Sequence, residues 1–394
     1  MIDINLACHK VLPFDGFGRL ITQLTHAMLL DGRFDVHPYL MEQLTWPGWM
    51  QNAAGLDHSR LTMFLCPPDW IKKPAPSRMI LYCMHESSQL PEGWAEMCNT
   101  VERLIVPCDW VKTVYKESGV TVPISVVHPG IDFNEVPILP PVRKGTRPFT
   151  FMTLGDRGIR KGWDLAYSAF YRAFRKDDNV ALIIKSNLNS NVPKIIQANY
   201  SSDSLMSKVR SWPERVDNIR DIFSQADCLV YPALGEGWGM FCREAAACGL
   251  PVIATNYSGM AVDLDQWAYP LNDWTLVPAP GDDLPGLWSH PNVDEIAERM
   301  RFIYEHQDEA REKGLQSARW LRQNATWEQS IQSLHDVFTG EDETRKQRLW
   351  ELDHPSELRG RTPLTLNVLK EMQAAQNSVL HPNQKEQVNH AIRK

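Results

Sequence analysis

Residues 229–256 read LVYPALGEGWGMFCREAAACGLPVIATN, and the fold follows from them. Leu229 to Tyr231 is an apolar run, Gly235 to Gly239 a glycine-rich turn, the Ala-rich stretch to Gly249 a helix, and Val252 to Thr255 a β-branched run. Together they spell strand, turn, helix, strand. Glu236 lies in the turn, and Glu244 falls about one helical turn beyond Met240, a rise of roughly 6 Å at ~1.5 Å per residue, so both can face one ligand. A helix whose first amides follow Gly237 and Gly239 offers unpaired N–H donors and the positive end of its dipole, which together hold a phosphate without a metal. Carboxylates beside such a site suit sugar hydroxyls.

Upstream, FTFMTLGDRGIRKGWDLAYSAFYRAF (149–174) repeats the theme: a strand to Leu154, a loop carrying Arg157, Arg160 and Lys161, and a helix from near Gly162. Cations at a helix amino terminus oppose its dipole, and their presence makes sense if an anion sits there. Val180 to Lys185 is a further strand, and Val216 to Ala226 reads as a helix. In the first third, Ile2 to Ala7 is a strand, followed by a turn containing Asp15-Gly16-Phe17-Gly18-Arg19 and a helix with apolar Leu20, Ile21, Leu24, Met28 and Leu29. Apolar runs at 36–41, 61–66, 79–84, 104–106 and 124–127 then alternate with helix or loop, the pattern of a parallel sheet covered on both faces. His85 and Glu86 stand at the end of one such run, and Asp109 is placed to cap a short helix ending at Gly119. The proline-rich segment 137–145 forbids helix and sets a domain boundary near residue 140. Helices are expected over 293–304, 309–322 and from Thr326-Trp327 to Val337, ahead of a polar tail, 340–394.

The Glu-Gly-x-Gly turn, the second Glu eight positions later, the Glu-Ala-x-Ala-x-Gly-x-Pro-Val-Ile continuation and the preceding Ala226-Asp227 helix end resemble the retaining glycosyltransferases of the GT-B fold, the large nucleotide-sugar-dependent, family 4-like group. The resemblance implies an α/β architecture of two Rossmann-like, doubly wound domains facing a central cleft. Residues 1–140 would be the acceptor-side domain, 141–325 the donor domain, and 326–394 a crossover helix and tail packing back towards the first. It implies that Glu236 contacts the donor sugar and Glu244 the ribose, with Gly237, Trp238, Gly239, Met240 and Phe241 on the donor. Lys161 and Arg157 would neutralise the leaving diphosphate, although the compressed spacing leaves Arg160 as the alternative arginine. His85 would contact the donor sugar or lie near the acceptor. Gly16 and Gly18 would lie at the cleft, Lys185 on the nucleotide side, and 210–213 where the base is read.

The function expected on this basis is metal-independent, retaining transfer of a hexose from a UDP- or GDP-sugar, with no cofactor. Asp263-Leu264-Asp265 superficially matches a metal-binding pair of another glycosyltransferase fold but reads as a solvated turn. A sugar phosphorylase, a nucleotide-sugar epimerase and a non-catalytic nucleotide-sugar-binding module are the rival readings. The acceptor stays open among soluble glycan, protein and modified DNA base. A net charge of -7 argues against an indiscriminate nucleic-acid binder, and the 14 tryptophans, which could stack bases, are mostly explained by core packing. The 394-residue chain has 8 cysteines and no Cys-x-x-Cys pair, reading as buried thiols in a reducing compartment. With neither a membrane span nor a secretion signal in view, the expected location is the cytoplasm.

Overall fold

The computed structural model describes residues 1–8, 16–41, 51–52, 55–71, 76–140, 147–155, 158–186, 205–279 and 285–341. Strands β1 (Ile2–Cys8), β2 (Phe34–Leu40), β3 (Gln51–Asn52), β4 (Thr62–Leu65), β5 (Met79–Tyr82), β6 (Arg103–Val106) and β7 (Ile124–Val126) pair in the order β3-β2-β1-β4-β5-β6-β7, parallel throughout. Helices α1 (Gly16–Leu30), α2 (Trp94–Cys98) and α3 (Asp109–Glu117) connect them. A second all-parallel sheet is built from β8 (Phe149–Leu154), β9 (Val180–Lys185), β10 (Val209–Trp212), β11 (Cys228–Tyr231), β12 (Val252–Thr255) and β13 (Tyr269–Leu271), in the order β10-β9-β8-β11-β12-β13. Its helices are α4 (Trp163–Ala173), α5 (Ile219–Phe223), α6 (Met240–Ala247) and α7 (Leu264–Trp267). A two-stranded antiparallel hairpin, β14 (Trp274–Pro278) with β15 (Leu287–Pro291), then leads to α8 (Val293–Glu305), α9 (Gln307–Asn324) and α10 (Trp327–Thr339). The chain divides into two units, Met1–Gln332 and Ser333–Lys394; both sheets lie in the first. No helix among the described residues is long and apolar enough to cross a membrane.

This is the doubly wound GT-B architecture expected from the sequence. Strand order reverses between β1 and β4 in one sheet and between β8 and β11 in the other, and ligands of such sheets bind outside the carboxyl ends of the strands at these reversals. The second sheet is apolar on both faces, as a buried parallel sheet must be. Val230, Leu182, Ile184 and Ile253 face one core with Phe170 and Met300, while Leu229, Tyr231, Ile183 and Val252 face the other with Ala245 and Leu321.

Three local expectations are corrected. Gly16 and Gly18 are not in a loop ahead of the helix: they form the first turn of α1, Gly16 exposed and Gly18 buried, and the Gly18 carbonyl accepts from Thr22 Oγ1 one turn on at 2.9 Å. Asp109 does not cap α3, since the extended residue before the helix is Cys108 (φ −160°), and Asp109 occupies the first helical position, where its charge suits the dipole. The helix expected over 216–226 contracts to Ile219–Phe223 behind an extended Asn218 (φ −110°).

Among the contacts that tie the sheets together beyond the connecting chain, two run through backbone hydrogen bonds. Ile131 bridges to Thr326 in parallel, its amide donating to the Ala325 carbonyl at 2.9 Å, and just beyond it Trp327 Nε1 donates to Gln23 Oε1 of α1 at 3.1 Å. The hairpin makes the second contact. At its β15 end the Leu287 amide donates to Ser88 Oγ at 2.8 Å, the Ser88 amide returns a bond to the Leu287 carbonyl at 3.3 Å, and Ser87 Oγ donates to the Pro285 carbonyl.

Candidate active site

Two buried ion clusters sit outside the carboxyl ends of the central strands. The first is assembled from the loops after β8 and β11, either side of the strand-order reversal. Glu236, 6% exposed, receives Lys161 Nζ and Tyr231 Oη (2.8 Å) on Oε1, with Arg160 3.3 Å from the same oxygen. Arg160 also donates to the Gly235 carbonyl at 2.7 Å and reaches Glu86 of the first sheet's β5 loop at 3.4 Å, so one guanidinium spans carboxylates from both sheets. Burial alone would raise the Glu236 pKa, but Lys161 and Arg160 override it and bring the carboxyl down to about 2. Burial, with Arg160 alongside, lowers Lys161. Burial also opposes the Arg160 charge, yet Glu86 and Glu236 more than offset that and raise it.

The turn holding Glu236 is fixed by close backbone approaches. A Cβ on Gly235 would lie 2.1 Å from the Glu86 carbonyl oxygen and 2.9 Å from Trp288 Cδ1, so only glycine lets the turn pass between the two sheets' loops. Gly239, at φ 81°, caps α6 in the left-handed region. The Glu236 amide donates to Ser258 Oγ at 3.0 Å, and the Gly259 amide to the Glu236 carbonyl at 2.9 Å. Ser258 itself is left-handed (φ 55°), a strain of order 1–3 kcal/mol that holds its hydroxyl on the turn. Behind the turn, Arg243 stacks on Trp238 and Trp267 with its Cζ 3.9 and 4.7 Å from the ring centroids, and donates to the Trp238 and Gly259 carbonyls.

The second cluster joins α6 to α1. Glu244, 1% exposed, accepts at Oε1 from Arg19 Nε (3.0 Å) and Arg19 NH2 (2.6 Å), while Oε2 is buried without a partner. Arg19 NH2 also reaches Glu135 Oε2 at 2.6 Å, where Gln23 Nε2 donates at 3.2 Å. Burial raises the Glu244 pKa, with Arg19 opposing.

The structure therefore brings Glu236, Lys161 and Arg160 together and puts Glu244 in a separate cluster. Arg157 lies outside the described residues. His85 is buried, its Nε2 2.8 Å from the Gln89 carbonyl and its ring edge-on to Trp94, and burial lowers its pKa. Trp238 lines the turn with His128 tilted against it, ring centroids 4.9 Å apart. Met240 is buried, while the Phe241 ring turns away to pack on Phe223 at 4.9 Å. Lys185, at the end of β9, donates to the Ser186 carbonyl at 2.8 Å over the Trp212 ring. Among the described residues, three potential metal ligands converge only at Asp3, Asp35 and His37, at the amino-terminal edge of the first sheet, where Arg60 Nε already sits 2.7 Å from Asp3. The sequence reading missed Arg19, Glu86, Tyr231 and Arg243 as candidate site residues. Arg19 carried a usable signal, a cation in the first turn of a helix against its dipole, the same feature that marked Lys161.

A family model described as "Family 4 Glycosyltransferase in conflict systems" matches residues 108–334. The D-inositol 3-phosphate glycosyltransferase of Paenarthrobacter aurescens (strain TC1) is 26% identical over 252 residues, 59% of this chain and 58% of that protein. Its counterpart from Rhodococcus opacus (strain B4) is 38% identical over 50 residues, 13% of this chain and 11% of that one. The chain thus spans less than two thirds of either relative. Among solved structures, HepE of Anabaena in complex with UDP-glucose superposes with a TM-score of 0.63 at 12% identity, covering 86% of this chain and 100% of that one. WaaG, a glycosyltransferase involved in lipopolysaccharide biosynthesis, gives 0.60 at 15% identity over 86% of this chain and 100% of its own. At such identities these two neighbours speak for the fold.

Proposed function

Because the chain belongs to the family 4 glycosyltransferases of conflict systems, we propose that it transfers a hexose from a UDP- or GDP-sugar to an acceptor hydroxyl with retention of configuration, using fixed cations in place of a metal ion. The observation that carries this reading is the buried Glu236–Lys161–Arg160 cluster at the start of α6. Charge develops on the departing diphosphate in such a reaction, and it is best met by groups already fixed in place. Lys161 and the first α6 amides supply that charge, with Arg160 behind them. Glu236, ionised throughout the physiological range, accepts hydrogen bonds from the sugar hydroxyls, and Glu244 offers its unpartnered Oε2 to the ribose. The first sheet's domain presents the acceptor, and the eight free, buried thiols support a reducing, cytoplasmic setting.

The test is nucleoside diphosphate release from a panel of UDP-, GDP- and ADP-sugars without acceptor, beside the E236A variant. Slow hydrolysis of one donor, lost in E236A, is the expected result and names base and sugar together. A panel giving neither turnover nor a thermal shift overturns the reading; a thermal shift with no turnover under any acceptor makes the chain a binding module, and dependence on inorganic phosphate makes it a phosphorylase.

A further inference from the structure

Arg19 holds Glu244 in an unusual way. A guanidinium meeting a carboxylate side-on normally gives one N–H to each oxygen. Here Nε and NH2 both converge on Oε1, and NH2 is shared with Glu135. The outcome is a carboxylate oxygen, Oε2, that is buried and bonded to nothing. Leaving a buried acceptor unmet is costly, and such atoms call for an explanation. Two features point to a ligand. The orphaned oxygen sits on α6 at the end of the sheet where strand order reverses, and the residue that orients it comes from the other sheet, on α1, 225 positions away in sequence.

We infer that Arg19 is a positioning residue for the donor nucleotide: it turns the Glu244 carboxylate so that Oε1 is spent and Oε2 is free for a ribose hydroxyl, and it makes that orientation depend on the first domain. The inference rests on the proposal that Glu244 binds the ribose. The groups facing Glu244 are Arg19 and Gln23 from α1, Glu135 from the segment after β7, and Cys248 at the end of α6. Arg19 is the cation among them. Without it, burial and Glu135 would raise the Glu244 pKa further.

The experiment is titration of the wild type, R19Q, R19K, E244Q and the R19Q/E244Q double variant with UDP, GDP and ADP between pH 6 and 9. Wild-type affinity for the preferred nucleotide is expected to be flat over this range. R19Q should bind about tenfold more weakly at pH 7, with a deficit that narrows as pH rises. E244Q should lose affinity at every pH, and adding R19Q to it should cost nothing more. R19K keeps the charge without the fork and serves if R19Q does not fold; it should lose about threefold, without pH dependence. Additive losses in the double variant, a pH-independent R19Q deficit, or an R19K protein of full affinity overturns the inference while the ribose assignment stands. An E244Q protein of unchanged affinity overturns the ribose assignment itself, and this inference with it.

Discussion

Replacing Lys161 by Met should lower turnover about a thousandfold while changing the donor KM by less than about tenfold. Lys161 reaches its station through an unusual turn: Gly162 is left-handed at φ 70°, and the Leu234 amide clamps the Arg160 carbonyl at 2.8 Å. The ammonium is thus held beside Glu236 before any substrate arrives. It costs no reorganisation when negative charge builds on a leaving diphosphate, and that is the condition under which one cation is worth several kcal/mol to the transition state but little to the ground state. Its lowered pKa adds a second signature. Turnover should decline on the alkaline side before an ordinary lysine, at about 10.4, would deprotonate. Single-turnover rates for K161M and wild type from pH 6 to 10 check both points. A loss below tenfold removes Lys161 from the chemistry.

The second large effect is on stability. E236Q leaves Lys161 and Arg160 buried without their shared anion and should destabilise the protein by about 3–5 kcal/mol. The double variant E236Q/K161M, which removes the pair together, should cost much less than the sum of the single changes. The same pair predicts acid sensitivity. A carboxyl held at about 2, against about 4.3 in the unfolded chain, contributes about 3 kcal/mol that is fully present above pH 4.3 and disappears as pH falls towards 2. Urea unfolding at pH 5 and pH 3 reads this out: wild type should lose stability between the two, and E236Q should lose distinctly less. Equal losses would detach the acid sensitivity from Glu236.

Much of the architecture was legible because buried parallel strands and glycine turns write themselves locally. The run Leu229–Tyr231, the turn and the helix from Met240 needed no partner to be read. Lys161 and Arg160 were visible because cations at a helix start contradict the dipole. What escaped was tertiary. The Arg19–Glu244 contact joins residues 225 positions apart, and the Glu86–Arg160 contact depends on how one sheet's loop meets the other's. Phe241 shows a further limit, since proximity in sequence to the glycine turn says nothing of where a ring points, and its ring packs on Phe223. Val216 was read into a helix, but the extended Asn218 starts the helix later. The β14–β15 hairpin was not read at all, because its strands are short and end in Pro278 and Pro291, which argue locally against a ladder.

That hairpin changes what kind of machine the cleft can be. The chain itself crosses between the sheets twice, after β7 and after α9, and the Arg160–Glu86 and Arg19–Glu244 pairs bridge the halves as well. The bonds between Leu287 and Ser88 add a latch, and any swing that parts the loops must undo it first. The Leu287 amide proton, lent to a hydroxyl on the opposite half, is expected to exchange with solvent only when the two loops part.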